Sequence, residues 1–129
     1  MKYTYIHLDV VNSTNTYAKE LIAKSNPNAG TVITASNQTQ GVGQYGRKWY
    51  NEPAKSLTFS IILKPEGLNS RKSFLISMVS ALSIVMTLKR YIKPSEIKIK
   101  WPNDIFIGDK KVAGILIQQF LQGQNIIHS

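Results

Sequence analysis

The sequence predicts an α+β fold: a mixed, largely antiparallel sheet with its helices on one face. Three observations predict it. Segments suited to a pleated, half-buried surface recur along the chain. Two segments, near 13–26 and 69–91, place apolar residues at helical spacing instead. The resulting order, β-α-β-β-α-β-β-β, contains runs of consecutive strands, which a strictly alternating parallel fold lacks.

"KYTYIHL" (2–8) is the first strand, with Tyr3, Tyr5 and aliphatics on the pleat. In "NSTNTYAKELIAKS" the period changes: Tyr17, Ala18, Leu21 and Ile22 share a helical face, and Ser13 or Thr14 is the N-cap. "NPNAG" (26–30) is turn chemistry, and "TVITAS" (31–36) returns to strand character. A glycine-rich loop follows, then a third strand, "SLTFSIIL" (56–63). The second helix is expected over 69–91, with Leu75, Met78, Val79, Leu82, Val85, Met86 and Leu88 as the apolar stripe that packs on the sheet. "IKIKW" (97–101) alternates as a half-buried strand, "PND" bends the chain, and "IFI" meets "VAGILIQQFL" across "GDKK" as a hairpin with a short loop. "NIIHS" begins another strand as the chain reaches Ser129, so the expectation is a chain ending inside a domain.

At 129 residues one domain is the default, able to bury roughly two-thirds of its unfolded surface. With 43% hydrophobic and 18% charged residues, the composition is that of a globular protein. No apolar run approaches the roughly 20 residues of a membrane span, and the N-terminus lacks the apolar block of a signal peptide. The absence of cysteine excludes a disulfide framework and any Cys-ligated metal, so a cytoplasmic setting is expected. The net charge of +9 points to an anionic partner. The sixteen Lys and Arg are dispersed without a basic block, which argues against a nucleic-acid tail; no DNA and no membrane partner is expected.

Four stretches carry polar or catalytic chemistry. "GVGQYGRKWYN" (41–51) follows neither the Lys-Ser/Thr phosphate loop nor the dinucleotide fingerprint that opens a helix. Its glycines let backbone N–H groups approach an anion, beside Arg47 and Lys48; the alternative is a flexible surface loop whose end Trp49 anchors in the core. "KWPND" (100–104) delivers Lys100 and Trp101 on a strand and places Asn103 and Asp104 on the turn, either as a plain Asn-Asp turn or with Asp104 in a magnesium shell. "KKVAGIL" (110–116) sets Lys110 and Lys111 before an apolar strand, and Ala113 and Gly114 leave room for a ligand; a solvated turn lysine is the alternative. "STN" (13–15) is a helix cap that can also orient a polar ligand. His7 and His128 are too isolated to suggest a metal site.

In order, "STN", Gln38, the "GxGxxGRxW" loop, "KWPND" and "KKVAGIL" closely resemble the catalytic domain of biotin protein ligases, from about Tyr5 to the C-terminus. The resemblance implies the biotin–lipoate ligase catalytic fold, similar to class II aminoacyl-tRNA synthetases and here incomplete. It also implies a two-step reaction. Biotin and MgATP give biotinyl-5′-AMP and pyrophosphate, and a lysine of a biotin carboxyl carrier protein then takes the biotin. Carried over by motif, Ser13, Thr14, Asn15, Gln38, Val42, Gly43, Gln44 and Gly114 would contact biotin. Lys111 corresponds to the active-site lysine beside the biotin carboxylate and the α-phosphate, with Arg47 and Asp104 as catalytic partners. Gly41, Gly43, Gly46, Arg47, Trp49, Lys100 and Asn103 would serve the nucleotide and its phosphates, and Asp104 the Mg²⁺.

The chain departs from the family pattern where Val42 and Gln44 stand in place of arginines, and where "TQ" replaces the more usual small residue before the first glycine. The family's sheet continues past this point into a strand that helps hold adenine, so residues 1–129 are expected to form the N-terminal two-thirds of the catalytic domain, without helix-turn-helix domain or C-terminal barrel. Part of the ATP site would then be missing, and the chain alone could be inactive. An unpaired sheet edge favours self-association, so a homodimer or an aggregation-prone monomer is also expected. A lipoate or other acyl-acid ligase of the same fold is one alternative reading, which "KWPND" disfavours, and a non-catalytic basic binding module is another.

Overall fold

A computed structural model describes residues 3–53 and 55–129. Its elements run β1 (Thr4–Val11), α1 (Thr14–Ser25), β2 (Thr31–Gln38), β3 (Thr58–Ile62), α2 (Phe74–Leu88), β4 (Ile97–Lys100), β5 (Asp104–Ile107), β6 (Lys110–Gly114), β7 (Phe120–Gln122) and β8 (Asn125–His128). They form two compact units, Met1–Gly67 with Gln118–Ser129, and Leu68–Ile117. The α+β class and the mixed, largely antiparallel pairing are as the sequence predicts. The strands are shared among three sheets, β1-β2-β3, β4-β5-β6 and β7-β8, where one was expected. Lys2, at the start of the predicted first strand, lies outside the described residues.

In the first unit β1 and β2 are parallel, joined through α1, and β3 returns antiparallel to β2. Alternation assigns the faces. Register pairs Ile6 with Ile33 and Thr31 with Ile62, and on this face Ala18, Ile33 and Ile62 form a core with Leu8, Tyr17, Leu21 and Ile22 packed around it. Tyr5, Phe59 and Ile61 occupy the opposite, exposed face. Helix α1 begins at Ser13, whose hydroxyl accepts from Thr16 N, and ends at Asn26 in the left-handed conformation (φ 45°). The chain end adds the β7-β8 hairpin, and Leu63 and Ser129 exchange backbone hydrogen bonds of 2.7 and 3.0 Å that tie it to the end of β3.

In the second unit β4, β5 and β6 are antiparallel, and α2 lies on one face of their sheet. The helix is shorter than the predicted 69–91. A 3₁₀ turn, Ser70–Lys72, precedes it, capped by Asn69 Oδ1 accepting from Arg71 N at 2.9 Å. The expected apolar stripe needs correction: Leu75, Met78, Val79, Leu82 and Met86 are exposed, whereas Ile76, Ala81 and Val85 are buried, with Ala81 and Val85 against Ile105. Apolar residues surround this helix, so periodicity could not say which side is inward. The same property makes an 18-residue stretch within Ser70–Leu88, of mean hydropathy 1.4, match a membrane span by length and composition. Arg71 and Lys72 sit in its first turn, and Ala81 and Val85 commit one side of it to the β5 sheet.

His128 gives the first unit a pH dependence. Its ring is buried on β8, edge-on to Phe120 with centroids 6.4 Å apart. Burial, and then the positive charge of Lys64, hold its pKa below the ordinary 6.5. The unfolded chain therefore binds this proton more readily, so stability is complete above about pH 6.5 and declines as pH falls toward the folded value. Thermal unfolding between pH 7.5 and 5.5 should show a falling Tm that flattens in His128→Phe; an equal slope in the variant would rule the histidine out as its source.

Candidate functional site

Parallel pairing of β1 and β2 brings the end of β2 beside the start of α1, since Val11 pairs with Gln38. Polar groups gather at that carboxyl edge, where open α/β sheets place their ligand sites. Ser13 and Thr14 are buried, with 5% and 4% of their surface exposed. Thr14 donates twice to Gln38 Oε1, from its backbone N at 2.9 Å and its hydroxyl at 3.3 Å. Ser60, from the middle of β3, reaches the same group: its one hydroxyl proton is shared between Thr14 Oγ1, at 2.8 Å, and Asn15 Oδ1. The structure thus joins Thr14, Asn15, Gln38 and Ser60, while Ser13 beside them caps α1 through Thr16 N. A signal for Ser60 was present: in "SLTFSIIL" it occupies an inward position between Thr58 and Ile62, where an apolar residue would suit the core.

From Gln38 the chain enters the glycine loop, which is a tight hairpin. Thr39 N and Gln40 N bond Val11 O and Asn12 O at 2.9 and 2.7 Å; Trp49 N donates to Gly41 O at 2.8 Å, and Gly43 N to Arg47 O at 2.7 Å. Val42 and Lys48 form a bridge between the two arms, and Gln44–Gly46 make the turn, with Tyr45 and Gly46 at φ 56° and 74°. Gly43 spends its N–H inside the loop, so the charge offered outward comes from the exposed Arg47 and Lys48. Trp49 is only partly buried and belongs to neither core cluster; its backbone, more than its ring, closes the hairpin. Gly41 is needed for close approach. A Cβ there would lie 2.4 Å from Trp49 O and 2.5 Å from Gln38 Nε2, so the missing side chain lets the loop close over the Gln38 amide.

The second unit carries the charged residues. The alternation "IKIK" turns Ile97 and Ile99 to the side of Ile105 and Ile107, and Lys98 and Lys100 to the side of Asp104 and Phe106. The two-residue turn Gly108–Asp109, with Gly108 at φ 56°, pairs Ile107 with Lys110 and Phe106 with Lys111. Lys111 therefore shares the face of Asp104 and stands diagonally from it, and the ion pair closes at 2.7 Å. A bulge beyond Phe106 sets Gly114 opposite Asp104, so no side chain crowds that rung. Lys100 Nζ lies 5.8 Å from the centre of the Phe106 ring. Asn103 ties the sheet end, its Nδ2 donating to Ile115 O at 3.1 Å and its carbonyl accepting from Ile115 N at 2.9 Å. The outcome is a face that carries Lys98, Lys100 and Lys111 with Asp104 paired to Lys111, and Asp109 of the turn lining a cavity with Lys98 and Lys100; its lysines are able to hold an anion. Among the described residues no three His, Cys, Asp or Glu cluster to cage a metal.

Residues 7–128 match the model of the biotin/lipoate A/B protein ligase family. The chain belongs to this family. Among curated members, the bifunctional ligase/repressor BirA of Bacillus spizizenii is 34% identical over 113 residues, covering 88% of this chain and 34% of the relative. Among solved members, the biotin acetyl coenzyme A carboxylase synthetase of Helicobacter pylori, determined with bound biotinylated ATP, superposes with a TM-score of 0.71 at 29% identity, covering 98% of this chain and 59% of that one. The biotin protein ligase of Aquifex aeolicus in complex with biotin and ATP gives 0.66 at 30% identity, covering 97% and 50%. The present chain thus spans about a third of the BirA relative's length.

The two inner glycines of the loop should respond differently to alanine. Gly41→Ala forces the loop off Gln38 and should cost about 1–3 kcal/mol of stability. Gly43→Ala, whose Cβ would meet nothing nearer than Arg47 O at 3.5 Å, should stay within about 0.5 kcal/mol. Urea unfolding measures both, and equal effects would contradict the close approach at Gly41.

Proposed function

We propose that this chain carries biotin- and nucleotide-handling residues of an ATP-dependent biotin protein ligase. One observation carries the reading: within a member of this family, Lys111 and Asp104 meet at 2.7 Å on a cationic sheet face. The first step joins a carboxylate to the α-phosphorus of ATP and releases pyrophosphate. Two anions must approach and negative charge grows on the leaving group, so fixed cations supply the main stabilisation. Lys111 offsets the carboxylate and the α-phosphate, while Lys100 and Arg47 serve the phosphates. Asp104 is suited to the Mg²⁺ of MgATP, because magnesium takes few protein oxygens and keeps waters and phosphate oxygens. In the second step the ε-amine of a carrier-protein lysine attacks the acyl carbon of the anhydride and AMP leaves. A cytoplasmic setting, where the cysteine-free chain would meet MgATP and its carrier, belongs to the same reading.

The hydroxyl and amide cluster supports biotin over lipoate. Ser13, Thr14, Asn15 and Gln38 offer donors and acceptors to a cyclic urea, whereas a dithiolane ring would leave them unpaired at a cost.

Incubation with biotin, MgATP and α-labelled nucleotide should yield labelled biotinyl-5′-AMP, and Lys111→Ala should lower the yield at least roughly 100-fold. Adenylate formation unaffected by Lys111→Ala would sink the assignment. Val42 is exposed at the loop bridge, so Val42→Arg adds a cation without repacking. It should slow release of biotinyl-5′-AMP in a filter-retention assay; unchanged or faster release would count against a phosphate contact from this position.

A further inference from the structure

The polar cluster of the first unit has one member outside every motif. Ser60 lies 46 residues from Thr14 in the chain, buried on the face of β3 that turns toward α1. An apolar side chain at this inward position would pack without desolvation cost, whereas a hydroxyl there requires partners. Ser60 finds them in the two residues that open the helix, Thr14 at 2.8 Å and Asn15. Ser60 shares its single hydroxyl proton between Thr14 Oγ1 and Asn15 Oδ1, and Thr14 donates from its N–H and its hydroxyl to Gln38 Oε1. Two donors on Oε1 fill that oxygen and fix which way round the carboxamide sits. Its Nε2 faces the Gly41 backbone, where a Cβ would come within 2.5 Å. No rotation of Gln38 keeps both the Thr14 bonds and an inverted amide.

We infer that Ser60 is a positioning residue for ligand recognition. It sets the donor and acceptor pattern of the Thr14 and Asn15 side chains, beside a Gln38 amide held by the Thr14 N–H, and so selects an acid whose head group carries a urea-like carbonyl and N–H groups. The inference rests on the reading of this cluster as the biotin pocket. Its distinct content is that the selectivity originates at β3, through a side chain acting on its neighbours. Without Ser60, Thr14 and Asn15 lose a shared partner, and the pattern is no longer unique. An acid with an apolar ring loses nothing by that change, so the effect falls on selectivity as well as affinity.

Calorimetric titration of the full chain with biotin, lipoate and MgATP separately, in wild type, Ser60→Ala and Ser60→Thr, tests this. Ser60→Ala should weaken biotin binding roughly tenfold or more, narrow the preference for biotin over lipoate, and leave MgATP affinity unchanged. Ser60→Thr, which keeps the hydroxyl on a strand-forming residue, should bind biotin within roughly threefold of wild type. Combining Ser60→Ala with Asn15→Ala should weaken binding by less than the product of the two single effects, because both act through one network. Wild-type biotin affinity in Ser60→Ala, multiplicative effects in the double variant, or parallel loss of MgATP affinity would each overturn the positioning role. A wild-type chain that binds MgATP and no biotin would instead overturn the pocket reading itself, and the inference with it.

Discussion

Side chains alternate across a pleated strand, and in the second unit the Gly108–Asp109 turn fixes where that alternation begins. Much follows from this constraint. One face of β4-β5-β6 must be apolar to pack against Ala81 and Val85, and Ile105 with partly buried Ile97 and Ala113 supplies it. The other face then receives Lys98, Lys100, Asp104, Phe106 and Lys111 together. A register slip of one residue would drive a lysine against the helix and remove it from Asp104. The ion pair itself adds little stability, about 1 kcal/mol at most, since Lys111 remains 37% exposed. Its value lies in aim: the sheet core holds Lys111 against Asp104, with Lys98 and Lys100 on the same face.

The polar cluster of the first unit is held together by different means. Its cluster contains hydroxyls and amides without formal charge, set at the carboxyl ends of two parallel strands and the first turn of α1. Burying such groups is costly unless each finds a partner, and Ser60, Thr14, Asn15 and Gln38 satisfy one another. Mutual satisfaction leaves few alternative rotamers, so the pattern shown to a ligand is fixed before the ligand arrives. Gly41 belongs to the same arrangement, because only a residue lacking Cβ lets the loop backbone close beside the Gln38 amide.

Much of this was legible in the sequence, and the gaps have physical causes. "IKIK" announced an alternating, half-buried strand, "GDKK" a short hairpin, and the "STN" cap its own position, because each depends on local backbone geometry. The inward side of α2 was illegible, since Leu75, Met78, Val79, Leu82 and Met86 satisfy helical periodicity as well as Ile76, Ala81 and Val85 do. "NIIHS" was read as the strand that became β8, but the separate β7 was hidden inside a longer apolar run, because the break after Gly114 has no Gly-Pro punctuation. Ser60 escaped for another reason. Its role depends on contacts 45 and 46 residues away, and no local pattern encodes those.

The division between charge and neutral hydrogen bonding also explains how a +9 chain can be selective. A lysine field acts over several ångströms and attracts any phosphate or carboxylate, so it contributes attraction with little discrimination. Discrimination requires groups whose cost when unpaired is steep, and buried hydroxyls and amides have that property where solvated ammonium groups do not. Val42 fits this division. The bridge sets Lys48 on the rung opposite it, so the loop keeps a cation there despite the neutral residue. Losing one charge from a diffuse field changes attraction by degree, whereas losing one hydroxyl from the Ser60 network changes which ligand fits.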